Sequence, residues 1–355
     1  MLRSGPLPLP ACALAIQACA MQASAMHAPA RAATEPLQVA GDARSDCPRG
    51  PPAAGSWRLT EEKQFFLHDP PNSFTGLYRS QGIAAAGGRW LFSWQYGLEI
   101  ADESFHSVLR NSSFKPPERW YERFLWALRL GASQHLVPGI PASLFARGLD
   151  HIGDIDYDKG VIYASLDTTR GYTDGHVALY NASDLSFTGA VFVLRGSPAN
   201  PHKDVASWVA VDGAHNRGYG KEWQRGHTIN VYNLSDWSFR ETLTLDRDLE
   251  RIQGAKVHGD WLYMSSDNAT QSVYRANLLS GHVEELVRLP RPPGKREVEG
   301  LAVRPAQSDR ASDGCDNDSV DLFVEMVVDP DRSGEDPTNT HLHVALYHYS
   351  FATGD

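Results

Sequence analysis

Apolar and polar residues alternate over short stretches of this chain, and the alternating stretches come in related pairs. The segment GHVALYNASDLSF runs from Gly175 to Phe187, and GHTINVYNLSDWSF runs from Gly226 to Phe239. In each copy a β-rich run is followed by a polar Asn-x-Ser-Asp turn and then by a second β-rich run. Alternation with a period of two on both sides of a polar turn predicts an antiparallel hairpin.

A second pair of related segments precedes these hairpins. HIGDIDYDKGVIYASLD begins at His151 and RIQGAKVHGDWLYMSSD begins at Arg251, and the two align without a gap. SWVAVDGAHNRGYGKEW, from Ser207, has the same pattern, and weaker copies begin at Ser80 and Val298. Five units of four strands, most with a period of roughly 45–50 residues, predict an all-β, five-bladed β-propeller, with a six-bladed ring as the alternative.

The last unit is incomplete, because HVALYHYSFATGD stops after its hairpin turn. The missing outer strand is predicted to come from SWRLTEEKQFF, Ser56 to Phe66, so that an N-terminal strand closes the ring. Cys47 lies before this strand and Cys315 lies in the last blade, so we expect a disulfide at the seam; two free thiols are the alternative. A single propeller domain is predicted over 56–355, after a flexible segment over 34–55.

One segment does not fit the blade pattern. PPERWYERFLWALRL, residues 116–130, places Trp120, Phe124 and Leu128 at helical spacing after two prolines. This spacing predicts an amphipathic helical insertion between the first and second blades. The helix is expected either to pack on the propeller or to cover part of its mouth.

The first 33 residues differ in composition from the rest of the chain. Arg3 precedes a stretch of apolar and small residues, and small-x-small sites follow. This pattern predicts a signal peptide over 1–33 that is removed, and hence a secreted or periplasmic protein; a disordered alanine-rich tail is the alternative. The formal net charge of −10 argues against binding to nucleic acid. No apolar run reaches the roughly 18 residues that a transmembrane segment needs.

Polar and aromatic side chains collect where each predicted inner strand begins and where each second strand ends. The blades bring these positions together at one end of the propeller axis. Asp154, Glu299 and His151 are predicted to be catalytic, because carboxylates and a histidine suit general acid–base chemistry. The predicted substrate-binding residues are Gln81, Trp94, Gln95, Trp208, Glu222, Trp223, Arg251 and Gln253.

A separate acidic segment, DPDRSGED, has the spacing of a calcium loop. Asp329, Asp331 and Ser333 are its predicted ligands, although the twelfth position is Thr340 rather than glutamate. An ordinary acidic turn is the alternative. The chain contains no P-loop motif, so no nucleotide cofactor is expected.

The segment EGLAV, from Glu299 to Val303, resembles the inner-strand opening of gluconolactonase-like and strictosidine-synthase-like propellers. In those families this glutamate often holds a central calcium, so the resemblance implies that Glu299 binds Ca²⁺. Asp267 and Asn268, at the end of a predicted second strand, are expected as further ligands because a hard cation prefers oxygen atoms. Those families usually have six blades. Five blades are similar to the layout of arabinanase-like and invertase-like glycosidases and of calcium-dependent apyrase, which use carboxylates near the axis.

These features together predict a secreted hydrolase or lyase that acts on a glycan or another small polar molecule, with calcium as an optional participant. Two alternatives remain open. The first is a non-catalytic propeller that binds a glycan or a protein. The second is a calcium-dependent lactonase or phosphohydrolase. The sequence predicts neither the substrate nor the oligomeric state.

Overall fold

The alternating segments form strands, and the strands pair into antiparallel sheets of four. The computed structural model describes residues 55–66, 75–114, 136–169, 175–199, 204–306, 320–330 and 342–353. Within these residues, five four-stranded sheets are arranged as the blades of a propeller. The first strands of the blades contact one another around the axis. The predicted five-bladed propeller is therefore confirmed.

The described chain begins with β1 (Gly55–Phe66), and the blades then follow in order. Blade 1 consists of β2 (Gly82–Ala85), β3 (Trp90–Trp94), β4 (Gly97–Ala101) and β5 (Ser107–Arg110). A short two-stranded sheet precedes blade 2 and consists of β6 (Ser113–Phe114) and β7 (Leu136–Val137). Blade 2 consists of β8 (His151–Asp158), β9 (Val161–Asp167), β10 (His176–Asn181) and β11 (Phe187–Val193). Blade 3 consists of β12 (Ala210–Asp212), β13 (Arg217–Gly220), β14 (Gly226–Asn233) and β15 (Phe239–Leu249).

Blade 4 consists of β16 (Ile252–His258), β17 (Trp261–Ser266), β18 (Ser272–Asn277) and β19 (Val283–Arg288). Blade 5 consists of β20 (Lys295–Pro305), β21 (Val320–Asp329), β22 (His343–Thr353) and, as its outer strand, β1. The helical elements described are a 3₁₀ turn, Leu77–Arg79, and a single helical turn, α1 (Ala142–Phe145).

The N-terminal strand closes the ring. β1 pairs with β22 in antiparallel register from Gly55 opposite Thr353 to Phe66 opposite His343, with one irregularity between Leu59 and Glu61. The first described strand therefore completes the blade formed by the last three. This confirms the closure predicted from the unfinished last unit.

The repeated Asn-x-Ser-Asp segment forms the turn between the third and fourth strands of a blade. In the first copy, the carboxylate of Asp184 accepts hydrogen bonds from the backbone N–H (2.9 Å) and hydroxyl (2.6 Å) of Ser186. Asp236 and Ser238 repeat these bonds in the second copy at 2.9 and 2.7 Å. The residue between them has a positive φ in both copies, 59° and 53°. The repetition in the sequence thus reflects a turn that hydrogen-bonds to itself.

Small residues let the inner strands approach one another near the axis. A Cβ atom at Gly82 would lie 2.5 Å from the Cα of Asp154, and one at Gly300 would lie 2.5 Å from the Cα of Gly82. Backbones from blades 1, 2 and 5 therefore meet without side chains between them. This close approach of the backbones fixes the positions of the side chains that neighbour the two glycines.

Apolar side chains fill the spaces between neighbouring blades. Between blades 1 and 2, the buried core includes Leu91, Leu98, Ile100, Ile152, Ile155, Ile162 and Leu166. Comparable cores lie between the other blades. Apolar residues from facing strands thus hold the blades together around the axis.

Some sequence predictions fall outside the described residues and stay predictions. They are the signal peptide over 1–33, most of the flexible segment over 34–55, the helical insertion over 116–130, the Cys47–Cys315 disulfide, and the loop ligands Asp331 and Ser333. Within the part of the chain that the structure describes, no helix has both the length and the apolar character needed to cross a bilayer.

Candidate active site at the mouth of the propeller axis

Polar side chains from four blades meet at the end of the axis where the inner strands begin. Inner strands run from this end, which we call the mouth, and second strands return to it. The group at the mouth, here named the mouth cluster, consists of Gln81, His151, Asp167, Arg251, Gln253, Asp267, Glu297 and Glu299.

Four members of the mouth cluster form a hydrogen-bonded chain across three blades. Asp167, at the end of β9, faces Nδ1 of His151 at 2.8 Å. Nε2 of His151 lies 2.9 Å from Oε1 of Gln81. The amide of Gln81 donates from Nε2 to the Ser80 carbonyl at 2.8 Å and makes a longer contact of 3.5 Å with Oε1 of Glu299. The chain thus links a carboxylate in blade 2 to a carboxyl group in blade 5.

The imidazole of His151 lies between two acceptors, an arrangement that favours its charged form. Its Nδ1–H donates to Asp167 and its Nε2–H donates to Gln81. Burial by itself would lower the pKa of His151, but the charge of Asp167 and the hydrogen bond to it outweigh burial and raise that pKa. The contact with Asp167 thus favours the charged form of this imidazole, of which 17% is exposed.

Within the mouth cluster, the pKa of Glu299 is the most strongly raised. The residue is 4% exposed. Burial, together with the nearby carboxyl groups of Glu297, Asp267 and Glu325, raises the pKa of Glu299 well above its ordinary value. Burial also raises the pKa of Glu297, which is less enclosed. A carboxyl group with a raised pKa is a candidate proton donor.

Asp267 is held by three donors. Its Oδ1 accepts hydrogen bonds from the backbone N–H of Val298 and from Nε2 of Gln271, both at 3.1 Å. Its Oδ2 accepts a hydrogen bond from the guanidinium of Arg251, which also lies 5.6 Å from the ring centre of Trp223. Asp267 therefore orients Arg251 at the rim of the mouth.

Two of the predicted central calcium ligands, Asp267 and Asn268, already accept hydrogen bonds from the protein. The carboxylate of Asp267 is already engaged by these donors, and Oδ1 of Asn268 accepts from the backbone N–H groups of Thr270 (3.0 Å) and Gln271 (2.9 Å). Among the residues that the structure describes, no group of three or more His, Cys, Asp or Glu side chains could hold a metal ion. The predicted calcium ion at Glu299 stays a prediction, and no step below is assigned to one.

Asp154 lies deeper along the axis and is fully buried. Its Oδ1 accepts from the backbone N–H of Ile83 (3.2 Å), and its Oδ2 accepts from the backbone N–H of Ala255 (3.0 Å) and from Nζ of Lys256 (2.6 Å). Burial raises the pKa of Asp154 to about 6 although the charge of Lys256 opposes the shift. These contacts tie together the inner strands of blades 1, 2 and 4, which favours a structural role; the predicted acid–base role stays a prediction.

The predicted tryptophans are found in different environments. Trp94 is buried and donates from Nε1 to the hydroxyl of Ser112 at 2.8 Å. Trp208 is buried in the core between blades 3 and 4. Trp223 is partly exposed. Of these three rings, Trp223 alone offers a surface near the mouth.

Two further predicted residues lie beside the mouth cluster. Gln95 follows β3, and its backbone carbonyl accepts a hydrogen bond from the N–H of Ile152 at 2.9 Å, which joins blades 1 and 2. Glu222 lines an open cleft of about 470 Å³ on blade 3. Asp329, from the predicted calcium loop, is buried at the end of β21.

Sequence reasoning missed Glu297, Lys256 and Asp156. Glu297 accepts a hydrogen bond from Nε2 of Gln253 at 3.3 Å and belongs to the mouth cluster. It was missed because β20 begins at Lys295, before the apolar run that marked the strand. Its spacing of two residues from Glu299 was the signal that could have found it, because alternate residues of a strand share a face.

Comparisons with known proteins show no family for this chain. No protein-family model matches the sequence, and no curated protein matches it. Among solved structures, the chain is similar to Myxococcus xanthus glutaminyl cyclase, with 11% identity and a TM-score of 0.49 over 86% of this chain and 100% of that one. It is also similar to apo AztD from Citrobacter koseri, with 14% identity and a TM-score of 0.31 over 58% of this chain and 45% of that one.

A third similar structure is Saccharomyces cerevisiae Sqt1, with 9% identity and a TM-score of 0.32 over 83% of this chain and 60% of that one. This chain therefore spans less than two thirds of AztD and of Sqt1. Identities and TM-scores this low assign no function to the chain. Function has to be argued from the mouth cluster itself.

Proposed function

We propose that this chain is an exported hydrolase or lyase that acts on a glycan or another small polar molecule by general acid–base catalysis at the mouth cluster. One observation carries the proposal. Glu299 is a buried carboxyl group with a strongly raised pKa at the open end of the axis, beside a hydrogen-bonded Asp167–His151–Gln81 chain. Perturbed titratable groups that converge in this way are typical of catalytic sites.

The two glutamates on β20 suit complementary roles. Glu299 is the more enclosed of the two, so it is the proton donor. Glu297 is partly exposed and is the neighbouring base. In hydrolysis, Glu299 would give its proton to the leaving oxygen as the C–O bond breaks, and Glu297 would take a proton from the attacking water. The different burial of the two carboxyl groups thus assigns the role of acid to Glu299 and the role of base to Glu297.

The surrounding groups support a polar, uncharged substrate class. Gln81 and Gln253 are partly exposed amides that can donate and accept hydrogen bonds. Arg251 and Trp223 form the rim, where a guanidinium lies near an aromatic ring. A hydroxyl-rich molecule can use amides, a guanidinium and one aromatic face together, and for this reason we favour a glycan.

The calcium-dependent lactonase or phosphohydrolase receives less support. Oxygen atoms of Asp267 and Asn268 that would bind the cation already accept protein hydrogen bonds. Calcium assistance stays a prediction that a measurement of metal content and of thermal stability with and without a chelator can decide. A shift of the melting temperature on chelation would restore this alternative.

Turnover assays test the proposed function directly. The mature protein would be assayed against aryl glycosides, lactones and phosphate esters, together with Glu299→Gln and the control Glu103→Gln, whose side chain is 64% exposed. We expect turnover of a glycoside, loss of that turnover in Glu299→Gln at an unchanged melting temperature, and normal turnover in the control. Full activity of Glu299→Gln would contradict the assignment, and affinity for a glycan without turnover would indicate a binding propeller.

Export and the disulfide belong to the same proposal. They are supported by the composition of residues 1–33 and by the places of the two cysteines in the sequence: Cys47 precedes β1, and Cys315 comes between β20 and β21 of the blade that β1 completes. Sequencing the N-terminus of the protein after expression with its leader tests removal of the signal peptide. Mass analysis before and after reduction tests the disulfide.

A further inference from the structure

A polar cleft on blade 3, here named the blade 3 cleft, lies outside the mouth cluster. Its volume of about 470 Å³ is in the range of sites that bind small molecules, roughly 300–1,000 Å³. Residues from the end of β13 to β15 form most of its lining, and they include Glu222, Arg225, His227, Asn230, Thr242 and Asp248. None of these residues belongs to the mouth cluster, so the cleft is a separate surface.

The blade 3 cleft adjoins the rim of the mouth. Glu222 lines the cleft, and the next residue, Trp223, contacts the rim residue Arg251. The backbone carbonyl of Trp223 accepts a hydrogen bond from the backbone N–H of Arg251 at 3.0 Å. The guanidinium of Arg251 in turn donates to Asp267 of the mouth cluster. An unbroken series of contacts therefore leads from the cleft to the mouth.

The lining of the cleft includes an amide that is fixed from behind. Asn230 is only 3% exposed although it lines the cleft. Its Nδ2 lies 3.4 Å from Oδ2 of Asp204, an oxygen that also accepts a hydrogen bond from the hydroxyl of Tyr232 at 2.9 Å. Asp204 is fully buried. A polar group whose orientation is set by buried partners loses little freedom when it binds a ligand.

A glycine leaves room for the carboxylate that lines the cleft. Glu222 is 6% exposed. A Cβ atom at Gly226 would lie 2.8 Å from Oε1 of Glu222 and 3.6 Å from Nζ of Lys221, so both charged groups approach the space that the glycine leaves open. Nζ of the buried Lys221 donates to the carbonyl of Gln224 at 2.8 Å. This bond ties the turn between β13 and β14 to the end of β13.

The charges around the blade 3 cleft oppose one another. Nε of Arg225 lies 3.1 Å from Oδ2 of Asp248, and Nδ1 of His227 lies 3.3 Å from Oδ1 of the same residue. The carboxylate of Glu222 has the ammonium of Lys221 nearby. Charges arranged in this way do not select a strongly ionic ligand. A neutral polar ligand therefore fits the cleft best.

We propose that the blade 3 cleft is a second sugar subsite, which binds a neighbouring unit of a neutral oligosaccharide whose scissile bond lies at the mouth cluster. This inference rests on the proposed function and adds the length and charge of the substrate to it. The carboxylate of Glu222, the amide of Asn230 and the hydroxyl of Thr242 are groups that hydrogen-bond to sugar hydroxyls. Binding of a remote part of a substrate can accelerate the reaction at its scissile bond.

The dependence of turnover on substrate length tests the subsite. The probes are aryl glycosides with one, two and three neutral sugar units. We expect kcat/KM to rise about tenfold or more when units are added. Thr242→Trp introduces a large side chain into the cleft from an exposed position on β15, and it should abolish this gain. Glu241→Trp is the matched control, because this 52% exposed residue lies on the opposite face of the same strand, and it should retain the gain.

A milder change and a binding measurement keep the test independent of folding and of turnover. Thr228→Val/Thr242→Val removes two hydroxyls from the cleft at nearly constant shape, and it should reduce the gain by about threefold or more. Calorimetry with the inactive Glu299→Gln measures affinity for the corresponding neutral mono- and trisaccharides. We expect the trisaccharide to bind more tightly, and addition of Thr242→Trp to remove the difference.

The outcomes separate this inference from the proposed function. Turnover of glycosides with a kcat/KM that does not depend on length, or a gain that survives both cleft variants, would overturn the subsite and leave the proposed function intact. Preference for a uronic-acid trisaccharide over a neutral one would overturn the neutral substrate class. Absence of any glycoside turnover in the unmodified protein would remove the proposed function. Calorimetry would then decide for the cleft alone: trisaccharide binding that Thr242→Trp abolishes would support a sugar site, and no binding would overturn it.

Discussion

Raising the pH from mildly acidic to mildly alkaline should destabilise this propeller. Asp154 and Asp156 are both buried at the axis, and burial raises their pKa values from 3.8 to about 6 and about 7. A folded state that binds protons more tightly than the unfolded chain is stabilised below the unfolded pKa. That stabilisation is lost as the pH rises through the folded pKa.

The size of the effect follows from the two shifts. With an unfolded pKa of about 3.9, Asp154 contributes about 1.4 kcal/mol at about pH 5, and Asp156 contributes about 2.7 kcal/mol. Both contributions have almost disappeared at about pH 8, so together these residues remove about 4 kcal/mol of stability over this range. The raised pKa values of His151, Glu299 and Glu325 act in the same direction. The lowered pKa of Lys221 acts in the opposite direction.

Urea denaturation at a series of pH values, monitored by tryptophan fluorescence, measures this fall in the free energy of unfolding. Asp156→Asn should reduce the fall by about 2.7 kcal/mol, because the replaced group no longer exchanges a proton. Asp184→Asn is the matched control: the pKa of this exposed aspartate is lowered, so it titrates below the range and should leave the slope unchanged. A free energy of unfolding that is constant or rises between about pH 5 and about pH 8 would refute the reasoning.

Three further predictions concern the fold, each measured as a change in the free energy of unfolding in urea. Phe65→Ala should cost about 3–5 kcal/mol, because this side chain of the closing strand is 5% exposed; a cost below about 1 kcal/mol would show that closure contributes little. Asp154→Ala should cost about 3–5 kcal/mol, because it leaves Lys256 without its carboxylate partner. The double variant Asp154→Leu/Lys256→Met should recover part of this loss, and no recovery would mean that the charge pair is not the cause. Gly281→Ala should be more destabilising than Gly189→Ala by about 1–3 kcal/mol. Both glycines have a positive φ, but only at Gly281 would a Cβ atom meet a backbone carbonyl, so equal costs would contradict this reasoning.

The repeat made the architecture predictable from the sequence. Each copy contains its own turn, and local turns such as that of Asp184 and Ser186 are specified by nearby residues. Ring closure was predictable because the last blade lacked a strand and the segment from Ser56 to Phe66 was unassigned. These conclusions depend on short-range patterns and on the requirement that a propeller has no open seam.

The depth of a residue along the axis was not predictable in the same way. Asp154 and Glu299 both lie on inner strands, but donors on two neighbouring inner strands hold the carboxylate of Asp154, and Glu299 lies at the mouth. Tryptophan is a residue type expected in a sugar-binding site, but Trp94 and Trp208 are buried in cores. Which side of a strand faces the axis depends on bulges such as that between Val298 and Leu301, which no local pattern marks.

The protonation state of Glu299 at neutral pH tests the central claim most directly. Infrared difference spectroscopy between the unmodified protein and Glu299→Gln at about pH 7 isolates the carboxyl group of this residue. Our account predicts the C=O stretch of a protonated carboxylic acid, because burial and neighbouring carboxyl groups raise the pKa of Glu299 well above its ordinary value. The bands of an ionised carboxylate at that pH would contradict it, because Glu299 would then have no proton to donate at the mouth.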